Sequence, residues 1–197
     1  MLLGISYANF AQTSIPEFPK KFKVGFSLGT NHSLLKNKGV MPLSHTIDNS
    51  FGMQFGIFMD YQPKSFLIIS PKVEWGLNHA NIITNLDFNQ INYRVYQNSI
   101  DIMLHVQYQF GKGKFIPYLF AGPHLKMPLY VAGLTNTQFS TAPNFAIDFG
   151  IGVEYKLKYF TIAPELRYSL GLSNVNQNPS YTNLKYNQVS FAIKFKP

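Results

Sequence analysis

The feature that most constrains the fold of this chain is an alternation of side-chain character with a period of two residues. The clearest case is the stretch NSIDIMLHVQYQF, from Asn98 to Phe110, where aliphatic or aromatic residues alternate with mostly polar ones. A period of two places the two sets on opposite faces of a β-strand. The length suits a tilted crossing of a bilayer, which takes about 9–11 residues. We therefore predict a membrane-spanning strand here.

The same alternation returns along the chain and predicts eight strands in all. Their approximate ranges are 21–30, 51–61, 66–78, 98–110, 115–125, 145–155, 160–170 and 189–195. The fifth is the least regular, because Pro117 and Pro123 interrupt it. Pro71 lacks an amide donor and is expected to weaken the third strand, at a bulge.

Long and short connections alternate between these strands. The short turns are Gln62–Ser65, Gly111–Lys114 and Lys156–Lys158, and the long loops are Asn31–Ser50, His79–Tyr96, Lys126–Asn144 and Gly171–Tyr186. An even strand number, with apolar faces outward and short turns at one rim, is typical of bacterial outer-membrane barrels. A soluble barrel such as a lipocalin would point its apolar face inward. We predict an all-β, eight-stranded antiparallel up-and-down transmembrane barrel in the cell outer membrane, with both termini and the short turns in the periplasm.

Composition and charge narrow the choice of partners. Charged residues make up only 13% of the chain, against about 25% in a typical soluble domain. The net charge is +8, but there is no basic helix or phosphate-binding loop, so nucleic-acid binding is not predicted. Many lysines stand at strand ends and turns, which favours contact with outer-membrane lipid headgroups. The absence of cysteine excludes disulfides and thiolate metal sites.

The first residues resemble the end of a secretory signal. Met1 to Gln12 contains an apolar run followed by Phe10-Ala11-Gln12, without a preceding basic segment. A disordered terminus is the alternative interpretation. Residues 13–197 are predicted to form the barrel domain.

Charged residues cluster on the face predicted to point inward. An eight-stranded barrel is just wide enough for side chains to fill its interior, and buried charges must be paired. Neighbours such as Lys72–Glu74 and Glu165–Arg167 suggest a continuous ionic plug, with a proton or ion path as the alternative. Asp60 shares the inward parity, and the predicted polar network of the lumen comprises Lys23, Lys72, Glu74, Asp101, His105, Asp148, Glu154, Glu165, Arg167 and Lys194.

No catalytic, metal or cofactor site is predicted. Among the histidines, only His105 is expected well inside a strand on the inner face, and Asp101 lies four residues away, about 13 Å along the strand. His32 and His79 stand at loop bases on one rim, but no acid spacing supports a metal site there.

Two sets of aromatic residues are expected to make contacts outside the lumen. Tyr and Trp side chains of membrane barrels collect at the two interfaces, and five with outward parity are assigned this role: Tyr61, Trp75, Tyr108, Tyr155 and Tyr168. Tyr130 and Phe139 lie in the third long loop and are candidates for contact with a partner protein.

Several strand sequences resemble those of a known family. FIPYLFAGPHL, FAIDFGIGVEYKL and ELRYSLGLSNV, with NSIDIMLHVQYQF as a fourth-strand pattern, are similar to PorT-like outer-membrane β-barrels of Bacteroidetes-type bacteria, over about Phe22 to Phe195. The resemblance implies an eight-stranded outer-membrane barrel, and the family's namesake serves type IX secretion. The family has no shared catalytic signature to carry over. Its members usually have Pro where this chain has Met103.

The expected function is therefore non-enzymatic. We interpret the chain as a structural or accessory subunit of an envelope complex, with another envelope protein as its partner. The family resemblance implies a link to type IX secretion. An extracellular-loop barrel that binds a ligand or mediates adhesion is the alternative. An outer-membrane hydrolase is a distant third.

Overall fold

The fold consists of β-strands joined by turns and loops. The computed structural model describes residues 21–37, 45–77, 80–86, 89–129, 142–175 and 184–197. Within them lie eleven strands: β1 Phe22–Asn37, β2 His45–Asp48, β3 Phe51–Lys64, β4 Leu67–Leu77, β5 Ala80–Leu86, β6 Asn89–Val95, β7 Asn98–Gln109, β8 Phe115–Pro128, β9 Asn144–Lys156, β10 Thr161–Gly171 and β11 Leu184–Lys196. The described residues include no helix long and apolar enough to cross a membrane.

Eight of these strands close into an antiparallel barrel. Around the barrel the order is β1, β3, β4, β7, β8, β9, β10 and β11, and the last strand pairs with the first. Every neighbouring pair is antiparallel. The predicted fold class and the predicted number of barrel strands are confirmed.

The alternation in sequence becomes an inside and an outside of the barrel wall. In β7, Asp101 and His105 have no exposed surface, whereas the intervening Ile102 and Val106 are 43% and 49% exposed. The other barrel strands repeat this pattern of burial. The exposed apolar side chains form the band that faces lipid, and the lumen collects the polar ones.

The barrel wall is taller at the long-loop end than predicted. β1 runs on to Asn37, where it pairs with Leu184 of β11, and β8 continues through Lys126 to Pro128. The predicted loops at 31–50 and 126–144 therefore begin too early, and the predicted loop at 171–186 ends too late. Beyond the lipid-facing band the alternation of apolar and polar residues fades, but backbone pairing continues because the neighbouring strand is still present.

A second sheet stands where two long loops were predicted. β2 comes from the first long connection, and β5 and β6 form a hairpin in the second. They pair in the order β2-β5-β6. The assignment of 31–50 and 79–96 as loops throughout was wrong, because strand pairing between two connections overrides a polar, Asn-rich composition.

Prolines and one turn also differ from the sequence interpretation. β3 continues to Lys64, so the turn is shorter than the predicted Gln62–Ser65, and the irregular pairing of β3 with β4 lies between Tyr61 and Lys64. At Pro71 the register with both neighbours is unbroken, so no bulge occurs there. β8 alternates regularly because its prolines 117 and 123 both point outward.

Candidate functional site

The interior of the barrel is filled by charged side chains from seven of its eight strands, and β1 adds polar ones. Six carboxylates lie inside, each at most 4% exposed: Asp60, Glu74, Asp101, Asp148, Glu154 and Glu165. Five lysine and arginine side chains accompany them: Lys72, Lys126, Arg167, Lys194 and Lys196. The alternation of each strand directs these residues inward, and closure of the barrel decides which of them meet.

The first cluster lies at the short-turn end. The Lys196 ammonium lies 2.5 Å from a carboxylate oxygen of Asp60 and 2.5 Å from one of Glu154. Asp60 also accepts a 2.6 Å hydrogen bond from the Ser70 hydroxyl and pairs with Lys194 at 3.4 Å. These contacts tie β3, β4, β9 and β11 together across the lumen.

The second cluster is centred on Glu165 of β10. Its carboxylate pairs with Lys72 at 3.2 Å and with Lys194 at 3.4 Å, and it accepts a 2.8 Å hydrogen bond from the Tyr118 hydroxyl. Lys72 also pairs with Glu74 at 3.3 Å. Because Lys194 contacts both Glu165 and Asp60, this cluster is continuous with the first.

Arg167 extends the network toward the long-loop end. Its guanidinium Nη2 donates to Glu74 at 2.8 Å and to the Gln54 amide oxygen at 3.4 Å. Nη1 lies 2.9 Å from the Met103 sulfur, and Nε lies 3.8 Å from Asp148. The guanidinium thus joins the central cluster to the histidines beyond it.

Two histidines share the carboxylate of Asp148. His105 Nε2 lies 2.9 Å from one of its oxygens, and His124 Nδ1 lies 3.0 Å from the other. The other ring nitrogen of His124 is 3.7 Å from Asp101, which pairs with Lys126 at 2.6 Å. The chain of contacts therefore runs without a break from Glu154 to Lys126.

Aromatic rings close the long-loop end of this network. The Lys126 ammonium lies 5.8 Å from the ring centre of Tyr96 and 5.7 Å from that of Tyr186. The two rings contact each other edge to face, and the Tyr186 hydroxyl is 2.8 Å from that of Ser33. Below them, inward glycines make room for further rings: a Cβ on Gly152 would overlap the Tyr118 ring. The lumen is a packed interior.

The residues predicted for the lumen divide into those that pair and one that stays apart. Lys23 lies half-buried at the short-turn end, without an ion-pair partner among the described residues. Eight of the other nine residues of the predicted network contact a side chain of opposite charge, and His105 contacts the Asp148 carboxylate. Lys72 and Glu74 pair as neighbours, but no ion pair between described residues joins Glu165 to Arg167.

Three buried ionisable residues were absent from the predicted network: His124, Lys126 and Lys196. The prediction that only His105 lies well inside a strand on the inner face was wrong, because His124 also lies within a strand, β8, and is 2% exposed. Lys126 was assigned to a loop, and Lys196 lies one residue beyond the predicted end of the last strand. The period-two alternation places all three inside: His124 and Lys126 continue the inward-facing positions of β8, and Lys196 continues those of β11.

The predicted interface aromatics lie on the outer wall. Each of four pairs with a neighbouring ring: Phe22–Tyr61 at 4.7 Å, Phe55–Trp75 at 4.8 Å, Phe66–Tyr108 at 5.4 Å and Phe115–Tyr155 at 4.5 Å between centres. Tyr168 is 36% exposed. The candidate contact residues Tyr130 and Phe139, His79 and the predicted signal remnant lie outside the described residues.

The site has neither a metal centre nor an open catalytic arrangement in the described part of the chain. No group of three or more His, Asp or Glu side chains there could hold a metal ion. The His105–Asp148 pair is the nearest approach to catalytic geometry, and both side chains have no exposed surface. A substrate could not reach them without opening the barrel.

Comparison with known proteins agrees with this architecture. The chain is similar in fold to Neisserial surface protein A, with 15% identity, a TM-score of 0.55 and coverage of 87% of this chain and 95% of that one. It is also similar to OprG from Pseudomonas aeruginosa, with 14% identity, a TM-score of 0.51 and coverage of 89% of this chain and 92% of that one. A third similar structure is the N-terminal β-barrel domain of OprF, also from Pseudomonas aeruginosa, with 12% identity, a TM-score of 0.50 and coverage of 90% of this chain and 98% of that one.

Sequence comparison identifies the family. No curated protein sequence matches the chain, but the family model described as an outer membrane protein beta-barrel domain matches residues 10–177. Together with the closed eight-stranded barrel, this match supports the outer membrane as the location of the protein. The chain belongs to the outer membrane protein beta-barrel domain family.

Proposed function

We propose that this barrel is a non-enzymatic, non-conducting accessory subunit of an envelope complex, which binds another envelope protein through its long-loop end. The filled lumen supports the first part of the proposal. Paired charges and rings occupy the cross-section from Glu154 to Tyr96, so a solute has no path. The function of the protein is then expected to depend on its outer surfaces.

The observation that carries the proposal is the three-stranded sheet β2-β5-β6. It is built from two connections that the closed barrel does not require, and it adds a hydrogen-bonded sheet at the long-loop end. β5 is its central strand, and within the described residues the outer edges of β2 and β6 are unpaired. An open strand edge can accept a strand from a partner through backbone hydrogen bonds.

The resemblance to PorT-like barrels extends the proposal to protein secretion. From the sequence, we also propose Tyr130 and Phe139 of the third long loop as partner contacts, since aromatic residues are enriched at protein interfaces. A ligand-binding or adhesive role of the loops is the competing function, and it predicts no stable protein partner.

Affinity capture from native outer membranes tests the proposal. The tagged full-length protein is compared with one variant in which residues 80–95 become a short Gly/Ser linker, and another shortened between Leu134 and Ala142. We expect the intact protein to recover a defined envelope protein, and at least one loop variant to lose most of it. Ser65→Ala, in the exposed β3–β4 turn at the opposite end, serves as the matched control and should recover the partner fully.

One result would contradict the subunit role, and another would contradict the proposed contact surface. Recovery of nothing above background by the intact protein would make independent ligand binding the leading candidate. If both loop variants recovered as much partner as the intact protein, the contact would lie elsewhere on the barrel. The different gel mobility of folded and heated protein verifies that each variant still forms the barrel.

A further inference from the structure

The short-turn end of the barrel carries a group of lysines with no compensating acids. Lys112 and Lys114 lie in the β7–β8 turn, and Lys156 and Lys158 lie at the neighbouring β9–β10 turn; all four are exposed. We call these four residues the lysine patch. The two turns are adjacent, because the Lys156 amide donates a 2.9 Å hydrogen bond to the Lys114 carbonyl.

The acids of the described chain do not neutralise this patch. Apart from Asp48 in β2 at the other end, every described carboxylate side chain is buried in the lumen. The two at the short-turn end, Asp60 and Glu154, are already bridged by Lys196. The positive charge of the patch therefore faces outward without an acidic partner among the described residues.

Aromatic rings hold the ammonium groups at the edge of the apolar band. Lys114 Nζ lies 5.1 Å from the ring centre of Tyr155, and Lys158 Nζ lies 5.2 Å from that of Tyr159. On the neighbouring β3–β4 turn, Lys64 lies 5.9 Å from the ring of Phe66. Interfacial aromatics sit at the level of lipid headgroups, so these cations lie at the depth of the phosphates.

We propose that the lysine patch binds the headgroup phosphates of anionic phospholipids in the membrane leaflet at the short-turn end. In an outer-membrane barrel the short turns face the periplasm, which makes this the inner leaflet. Each lysine near an anionic membrane surface strengthens binding to that surface about fivefold. A patch of four, screened by salt, should therefore select clearly between lipids of different charge. The inference does not depend on the proposed protein partner.

Native mass spectrometry of the full-length protein in detergent tests this proposal. The protein is offered equal amounts of phosphatidylglycerol and phosphatidylcholine with the same acyl chains. We expect at least about fivefold more bound phosphatidylglycerol. In the variant K112Q/K114Q/K156Q/K158Q the ratio should fall to about one, whereas the control K36Q/K185Q, at the long-loop end, should keep the preference.

Further measurements distinguish lipid headgroups from free phosphate and from an acidic protein as the ligand of the patch. Sodium phosphate should reduce the preference no more than sodium chloride of equal ionic strength; a specific effect of phosphate would indicate a free-anion site and overturn the lipid assignment. Equal lipid ratios for the intact protein and the patch variant would also overturn it. So would patch-dependent binding of polyglutamate with no lipid preference, which would indicate an acidic protein partner.

Discussion

The buried pair between Arg167 and Glu74 allows the sharpest test of the ionic lumen. The guanidinium donates to the carboxylate at 2.8 Å, and both side chains are at most 3% exposed. Breaking a buried ion pair by removing one partner typically costs about 3–5 kcal/mol. After Arg167→Met, Glu74 keeps Lys72 at 3.3 Å and Ser27 at 3.1 Å. We therefore expect the free energy of unfolding to fall by about 3 kcal/mol, near the lower limit of that range.

The double variant makes the prediction specific. Glu74→Gln alone should also cost about 3 kcal/mol, because Arg167 keeps only Asp148 at 3.8 Å as a charged partner. Combining the two changes removes opposite charges together, so the double variant should lose about 3 rather than about 6 kcal/mol.

Urea unfolding of the detergent-folded protein measures these free energies. The single tryptophan, Trp75, lies on the outer wall and reports unfolding by fluorescence. Lys64→Met, at an exposed lysine, is the matched control and should be nearly neutral. Single losses below about 1 kcal/mol, or losses that simply add in the double variant, would refute the paired-lumen argument.

Three further predictions concern the two faces of the wall and its orientation. Phe149→Arg places a charge in lipid and should cost about 2–4 kcal/mol, whereas Gln107→Ser, inside the lumen, should cost less than about 1.5 kcal/mol. Gly152→Ala should displace the Tyr118 ring and destabilise the barrel by about 1–3 kcal/mol in urea unfolding. A cysteine replacing Gly113 should resist membrane-impermeant reagents on intact cells.

The results that would contradict these predictions are equally direct. Similar losses for Phe149→Arg and Gln107→Ser would show that the assignment of inside and outside is wrong. An unchanged stability of Gly152→Ala would mean that the lumen is not tightly packed there. Labelling of the cysteine at position 113 on intact cells would place the short turns outside the cell.

Which face each residue takes could be predicted from sequence, but most of its contacts could not. Lys72 and Glu165 are both correctly placed inside by parity, yet their contact joins residues separated by 93 positions. His105 was compared with Asp101 along its own strand, whereas its partner is Asp148 on β9. Barrel closure and stagger decide which inward residues meet, and no local pattern contains that information.

The limits of the strands were harder to predict for a different reason. A period-two signal depends on a contrast between lipid and lumen, and it fades where both faces of a strand are polar. This loss of contrast concealed the end of β1 at Asn37 and the start of β11 at Leu184. The β5–β6 hairpin was missed likewise, since its pairing with β2 joins two separate connections.

Planar-bilayer recording with the folded full-length protein tests most directly whether the lumen is closed. The ion pairs from Glu154 to Lys126 and the rings of Tyr96 and Tyr186 above them fill the interior. We predict no stable open channel under applied voltage. A reproducible, ion-selective conductance that Arg167→Ala abolishes would contradict this account and assign the charged lumen to transport.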